Sequence, residues 1–304
     1  MQLDRRHFLA ISSALTLTSA LPAVGAPPRA ISSVARTRAI KKALKIGMIK
    51  VGSSLREKFQ IAKDAGFDGV ELNSPSDLSI NEALEASEAT GIELPGVVDS
   101  VHWHEPLSDP DAKVRARGLR GLETALRDCK ALGGTTVLLV PAIVNGSVSY
   151  AEAYERSQTE IRKLLPLAAE LQIKIAIENV WNHFLLSPLE AARYVDEFES
   201  PWIGWYFDVG NIVNYGWPEH WVRTLGKRIL KLDIKEFSRK LRDDDGLWNG
   251  FRAKLTEGDC NWPEVMRALD DVGYAGGWGS AEVSGGDAQR LADIARRMDR
   301  IFAS

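Results

Sequence analysis

The segment ILKLDIKEFSR, residues 229–239, is an apolar run of strand length that turns abruptly to charge. Its first six residues read as a β-strand. Lys231, Asp233 and Lys235 alternate along it, so at least one ion pair is expected there. Seven further runs of this kind recur: LKIGMI (44–49), DGVEL (68–72), ELPGVV (93–98), TVLLV (136–140), IKIAIE (173–178), WIGWYFD (202–208) and GWGSAEV (277–283). Longer patterns of helical period separate them, several closed by a glycine suited to a helix C-terminus. The last pattern, GDAQRLADIARRMDRIFAS, sets Leu291, Ile294, Met298 and Ile301 on one apolar face. Eight β/α units in roughly 260 residues predict an α/β fold, the closed (β/α)8 TIM barrel. The first strand is not followed by the G-x-G-x-x-G of a dinucleotide-binding fold, and no repeat of solenoid period appears.

The amino terminus stands apart. Residues 1–26 hold the charged pair Arg5 and Arg6, an apolar stretch from Phe8 to Val24, and small residues around Ala26 where cleavage fits. The string DRRHFLA resembles a twin-arginine signal, which implies passage of an already folded protein through the twin-arginine export machinery, with a periplasmic destination. The apolar part is short and broken by Ser, Thr and Pro22, which argues against a stable membrane span. Residues 27–43 read as linker and residues 44–304 as one barrel domain. The net charge of −3 offers no basic field for nucleic acid. Cys129 and Cys260 lack metal-ligand spacing and read as structural, with pairing between them left open. Assembly into a homo-oligomer is also left open.

In a TIM barrel the chemistry sits at the carboxyl ends of the strands. Four acids occupy such ends on strands five to eight: Glu178, Asp208, Asp233 and Glu282. A single strand-end acid is most simply paired with a lysine or arginine. Four gathered in one quadrant repel by several kcal/mol at the effective dielectric of a protein edge, and the simplest neutraliser is a divalent cation. An all-oxygen set favours a hard ion, Mn²⁺ or Mg²⁺, over zinc.

The segments IAIENVWNHFLLSPLE, YFDVGN, RILKLDIKEFSR and TEGDCNWPEV, in that order, resemble the sugar isomerase/epimerase family with the xylose-isomerase-like barrel, which includes the ketose 3-epimerases. The resemblance runs from about residue 44 to the end of the chain. It implies one divalent metal held by Glu178, Asp208, Asp233 and Glu282, with Glu178 and Glu282 also serving as the catalytic acid/base pair. Their work would be proton transfer beside the carbonyl of a keto sugar or an oxidised glycoside. The chain departs from the family at Asp233, where the pattern H-x-K-D has become D-I-K-E. A carboxylate there keeps a ligand, shortens its reach, adds a negative charge and lowers affinity for softer ions.

Further substrate-contacting residues are expected around the mouth. Arg239 falls where the family places an arginine on substrate oxygens, a solvated loop arginine being the alternative. Asn211 lies near the metal rim or caps the next turn. His102 and His104 are expected to bond substrate or line the pocket wall, in preference to forming a second metal pair. Trp181, His183 and Glu71 are assigned to the same mouth, Trp181 as a platform for a sugar face. Glu257 is expected to order its loop. The functional expectation is a metal-dependent isomerase or epimerase of a small-molecule carbohydrate. A lyase or dehydratase on a keto-cyclitol or keto-glycoside, or a sugar-binding barrel without chemistry, are the alternatives.

Overall fold

The computed structural model describes residues 38–274 and 276–304, so the expected export signal and residues 27–37 of the expected linker lie outside the described residues. Eight parallel strands close in sequence order into a barrel: β1 Ala39–Lys45, β2 Gly69–Ser74, β3 Gly96–Asp99, β4 Thr136–Leu139, β5 Lys174–Glu178, β6 Ile203–Asp208, β7 Ile229–Ile234 and β8 Gly276–Ala281. The helices are α1 Leu55–Asp64, α2 Ile80–Thr90, α3 Ala112–Ala131, α4 Tyr150–Leu171, α5 Pro188–Asp196, α6 Pro218–Leu225, α7 Arg239–Asp245, α8 Trp262–Asp271 and α9 Ala288–Ala303.

The first strand begins at Ala39, inside the stretch expected to be linker, and ends at Lys45; residues 46–48 turn into a short 3-10 helix. The correction has a simple cause. Ile40, Ala43 and Leu44 are buried, and pairing of Ala39 through Leu44 with Gly276 through Ala281 closes the barrel. Arg38 fastens that seam, its guanidinium donating to both carboxylate oxygens of Asp270 and to the carbonyls of Phe302 and Ser304.

Local signals set the helix starts. Ser149 and Glu152 form a reciprocal capping box that opens α4, and Ser54, Ser79, Asp111, Ser187 and Asp287 cap α1, α2, α3, α5 and α9. In α9 the residues Leu291, Ile294, Met298 and Ile301 are buried, as their spacing predicts. They join the large apolar layer between barrel and helices, whose rings include Trp205, Phe207, Phe59 and Phe67. A smaller cluster of Leu138, Ala176 and Tyr206 packs separately. Tyr206 and Ala176 lie two residues before Asp208 and Glu178, so strand alternation puts them on the same inward face as those acids.

The connection after β7 contains α7 and a 3-10 helix at Leu247–Arg252. Glu236 organises the rest of it. Fully buried and one residue past Lys235, it points away from the barrel interior. Its carboxylate accepts from Thr256 N at 2.8 Å, Cys260 N at 3.2 Å and Trp262 Nε1 at 2.9 Å. Gly258 passes so close that an added Cβ would sit 2.6 Å from Glu236 Oε1 and 2.5 Å from the Phe237 carbonyl. Both cysteines are buried and free.

Replacing Glu236 by alanine strands two buried donors and a part-buried one and is expected to lower unfolding stability by about 3 kcal/mol, while Glu236→Gln loses about half as much. Urea titration of the two variants against the parent chain measures the difference.

Candidate active site and metal centre

Each of the four acids is delivered by its strand end. Glu178 closes β5, Asp208 closes β6, Asp233 is the fifth residue of β7, and Glu282 follows β8. One carboxylate oxygen from each lies within 4.8 Å of all the others. Opposite oxygens around a single hard cation are about 4 to 5 Å apart, so the spacing suits one ion. Asp208 is fixed most firmly. Asn179 accepts from its backbone N–H at 3.0 Å and donates to its carbonyl at 2.7 Å, and Asp208 Oδ1 accepts from Asn211 N at 2.8 Å.

The cluster brings its own cations. Lys235 Nζ stands 2.8 Å from Asp208 Oδ2 and 3.0 Å from Glu282 Oε1, and Lys45 Nζ stands 2.9 Å from Asp233 Oδ1. Lys45 also pairs with Glu71 Oε2 at 2.8 Å, and Glu71 in turn accepts from Tyr206 OH at 2.8 Å and pairs with Lys231 at 3.2 Å. The ion pair expected beside Asp233 on its own strand is therefore made differently. Residues 231, 233 and 235 share one strand face, stacked at three depths; each lysine reaches an acid on another strand, and Asp233 takes its partner from β1.

Among the described residues, Lys231 answers Glu71, and Lys45 and Lys235 answer two of the four clustered acids. Two negative charges remain. Glu178 Oε1 and Asp233 Oδ2 are buried and accept no hydrogen bond from any described residue. Burial, with repulsion from Glu282, holds the carboxyls of Glu178 and Asp233 well above the usual range, although Lys235 and Lys45 oppose it. Burial likewise pushes Asp208 to about 6 despite Lys235. Glu282 moves the other way: Lys235 and Lys45 outweigh its burial and hold it at about 2. A dication matches the missing charge, the hard oxygen donors and the unpartnered atoms together, so the residues present fit a metal ion.

A cavity of about 510 Å³ opens over Glu178 and Glu282, lined also by Asn211, Lys235, Trp181 and Trp248. Trp181 stands where the sequence put it, in the wall, with Nε1 donating to Asn211 O at 2.8 Å. Asn211 faces the cavity; Asp208 caps the turn by accepting from its backbone N–H, and the Asn211 side-chain amide donates to Asn179 O at 2.9 Å. His102 is buried beside the site. Its Nδ1 accepts from Val140 N at 3.2 Å, and burial lowers its pKa to about 4, so the ring is neutral and carries its proton on Nε2. His104 is exposed, so the two histidines do not share the environment a second metal pair would need.

Other expectations are corrected. Glu71 is not at the mouth; it is buried beneath the acids between Lys45 and Lys231. His183 is exposed, on left-handed backbone at φ 60°, and outside the cavity lining. Arg239 donates to Gly216 O at 3.0 Å and lies over Trp217, again outside that lining. Glu257 pairs with Arg297 on the outer side, and Glu236 takes the loop-ordering role assigned to it. The reading from sequence missed Lys45, Asn179 and Glu236. Lys45, as the last charged residue of the first apolar run, was the one with a visible signal.

The barrel and its acidic rim define a TIM-barrel protein with a strand-end carboxylate cluster that could hold a metal ion. The chain belongs to the xylose isomerase-like TIM barrel family, whose profile residues 59–301 match. Among curated proteins it is similar to L-ribulose-5-phosphate 3-epimerase UlaE of Escherichia coli O1:K1, at 27% identity over 175 residues, 54% of this chain and 62% of that protein. The match thus spans less than two thirds of that relative. Among solved structures it is similar in fold to D-allulose 3-epimerase from Methylomonas sp. (TM-score 0.69, 18% identity, 88% of this chain and 98% of that one). It is also similar to 3-keto-D-glucoside 4-epimerase YcjR from E. coli (TM-score 0.72, 15% identity, 87% of this chain and 100% of that one).

Two predictions follow from the charge balance. Because burial and repulsion from Glu282 raise the carboxyls of Glu178 and Asp233, protons compete with a dication for the cation-free site. Affinity therefore falls as pH is lowered and rises as pH climbs toward their elevated pKa values, with about one to two protons released per ion. Calorimetry with Mn²⁺ in buffers of different ionisation enthalpy counts those protons. Lys45→Met removes a competing cation and strands Asp233; it should lower cation-free stability by about 3 kcal/mol while tightening Mn²⁺ binding, so that added Mn²⁺ restores part of the loss in a melting experiment.

Proposed function

We propose that this chain is a divalent-metal-dependent isomerase or epimerase acting on a free keto sugar or an oxidised glycoside. The observation that carries the reading is the convergence of Glu178, Asp208, Asp233 and Glu282 at the floor of a cavity that both glutamates line. When bound there, a hard dication, Mn²⁺ or Mg²⁺, would polarise the substrate carbonyl and stabilise the charge that develops on its oxygen.

The chain's own residues supply the proton chemistry. Glu282, kept ionised by Lys235 and Lys45, takes the proton from the carbon beside the carbonyl. Glu178, whose buried carboxyl favours the protonated form, returns one from a strand three places away in the barrel. Two carboxyls pushed in opposite directions are the pattern of an acid/base pair. Asn179 and Asn211 hold Asp208 in place. The names of the relatives, a pentulose-phosphate 3-epimerase, an allulose 3-epimerase and a keto-glucoside 4-epimerase, support proton transfer on a keto sugar. A free sugar fits better than a phosphorylated one. Among the cavity-lining residues the one cation is Lys235, already engaged by Asp208 and Glu282. Export through the twin-arginine route, read from residues 1–26, agrees with a sugar met outside the cytoplasm.

Incubation with Mn²⁺ and a panel of free ketoses and 3-keto-glucosides in D₂O is expected to place deuterium on a carbon beside the carbonyl. Glu282→Gln should slow uptake about 10²- to 10⁴-fold. No uptake from any sugar with any divalent ion would sink the reading, and a product lighter by one water would make the protein a lyase.

A further inference from the structure

We infer that the outer part of the cavity is a ring-binding subsite, and that the substrate is a glycoside whose second ring, aryl or sugar, lies against Trp248. The inference deepens the preceding one, resting on a carbohydrate at the acid cluster, but its observations are separate. Trp248 and Phe251 come from the 3-10 helix Leu247–Arg252, inserted between β7 and α8. Gly250 lets that helix lie flat on Phe237, where a Cβ would come within 2.4 Å of the ring.

Phe251 is the anchor of the segment. Its ring is 4.9 Å from Phe237 and 4.8 Å from Trp181. Trp248 is not needed for that purpose. It touches Trp181 at 4.9 Å yet leaves 67% of its surface in solvent, whereas Trp205 and Trp221, which do serve the core, are 0% and 4% exposed. Trp103, 45% exposed, lines the same cavity from the loop after β3. Large apolar rings held at the rim of a continuous cavity offer stacking faces to a ligand. The cavity is continuous from Glu178 and Glu282 to Trp248, so one molecule can span it. Its chemistry specifies a ring in preference to a phosphate, because no arginine and no uncommitted lysine lines it among the described residues.

The test uses the intact protein with unoxidised ligands, which report binding apart from turnover: methyl β-D-glucopyranoside, phenyl β-D-glucopyranoside, cellobiose and glucose 6-phosphate, followed by calorimetry. A ring substituent is expected to tighten binding about tenfold over the methyl glycoside, and Trp248→Ala to erase that margin while Trp248→Phe keeps most of it. The tighter of the phenyl glucoside and cellobiose identifies the ring as aryl or sugar. Equal affinity for all glycosides, no binding of any, tightest binding of the phosphate, or a margin that survives Trp248→Ala would each overturn the subsite. A ring preference without deuterium exchange refutes the epimerase reading and leaves the subsite standing; exchange without ring preference does the reverse.

Discussion

Like charges crowded at one end of a closed barrel are the constraint on which the rest of this molecule depends. Four carboxylates within 4.8 Å of one another cannot all be ionised without counter-charge. The chain meets half of the demand with its own lysines. Lys235 bridges Asp208 and Glu282 from inside the cluster, and Lys45 reaches Asp233 from the neighbouring side of the seam between β1 and β8. Glu71, Tyr206 and Lys231 then hold Lys45 from below, so the polar network continues into the barrel interior. What is left over is a deficit the size of one dication, at a place where buried oxygens accept no hydrogen bond from any described residue.

Lys45 gives Asp233 its physical meaning. The resemblance implies a histidine at this position; a carboxylate in place of a neutral imidazole raises the negative charge of the cluster by one, and an ammonium 2.9 Å away answers it. The pair keeps the charge that a bound ion would meet close to that of a set with histidine, while making every donor an oxygen. Such a set would favour hard ions, without a larger charge deficit.

Much of this was legible in the linear sequence. Eight apolar runs spaced by helical patterns suffice for the barrel, and the strand-end acids follow from knowing which end of a parallel strand carries chemistry. Contacts across the barrel are another matter. That Lys45 meets Asp233 and that Lys231 meets Glu71 depends on stagger and closure, including the register shift where β6 meets β7, which no single strand encodes. The same reason hides the difference between Glu236 and Glu257. Both are acids near one irregular segment, and only the direction of the side chain at the end of β7 makes Glu236 the acceptor for Thr256, Cys260 and Trp262. The start of β1 was misread because three lysines and two alanines in AIKKALK dilute its apolar signal, while its partner β8 supplies the burial.

The segment after β7 joins these levels. Lys235 faces inward to the acids, Glu236 faces outward to its own loop, and the chain between them and α8 carries Phe251 and Trp248 back over the cavity. A residue-by-residue alternation of the strand thus fixes both the charge at the floor and the ring surface at the rim. Lys235 touches both, lying 5.6 Å from the Phe251 ring while bound to Asp208 and Glu282. Disorder in the loop would therefore loosen a counter-ion of the acid cluster, and loss of that counter-ion would leave the loop without one of its contacts. The charge of the acid cluster and the ring surface over the cavity are coupled through two adjacent side chains at the end of one strand.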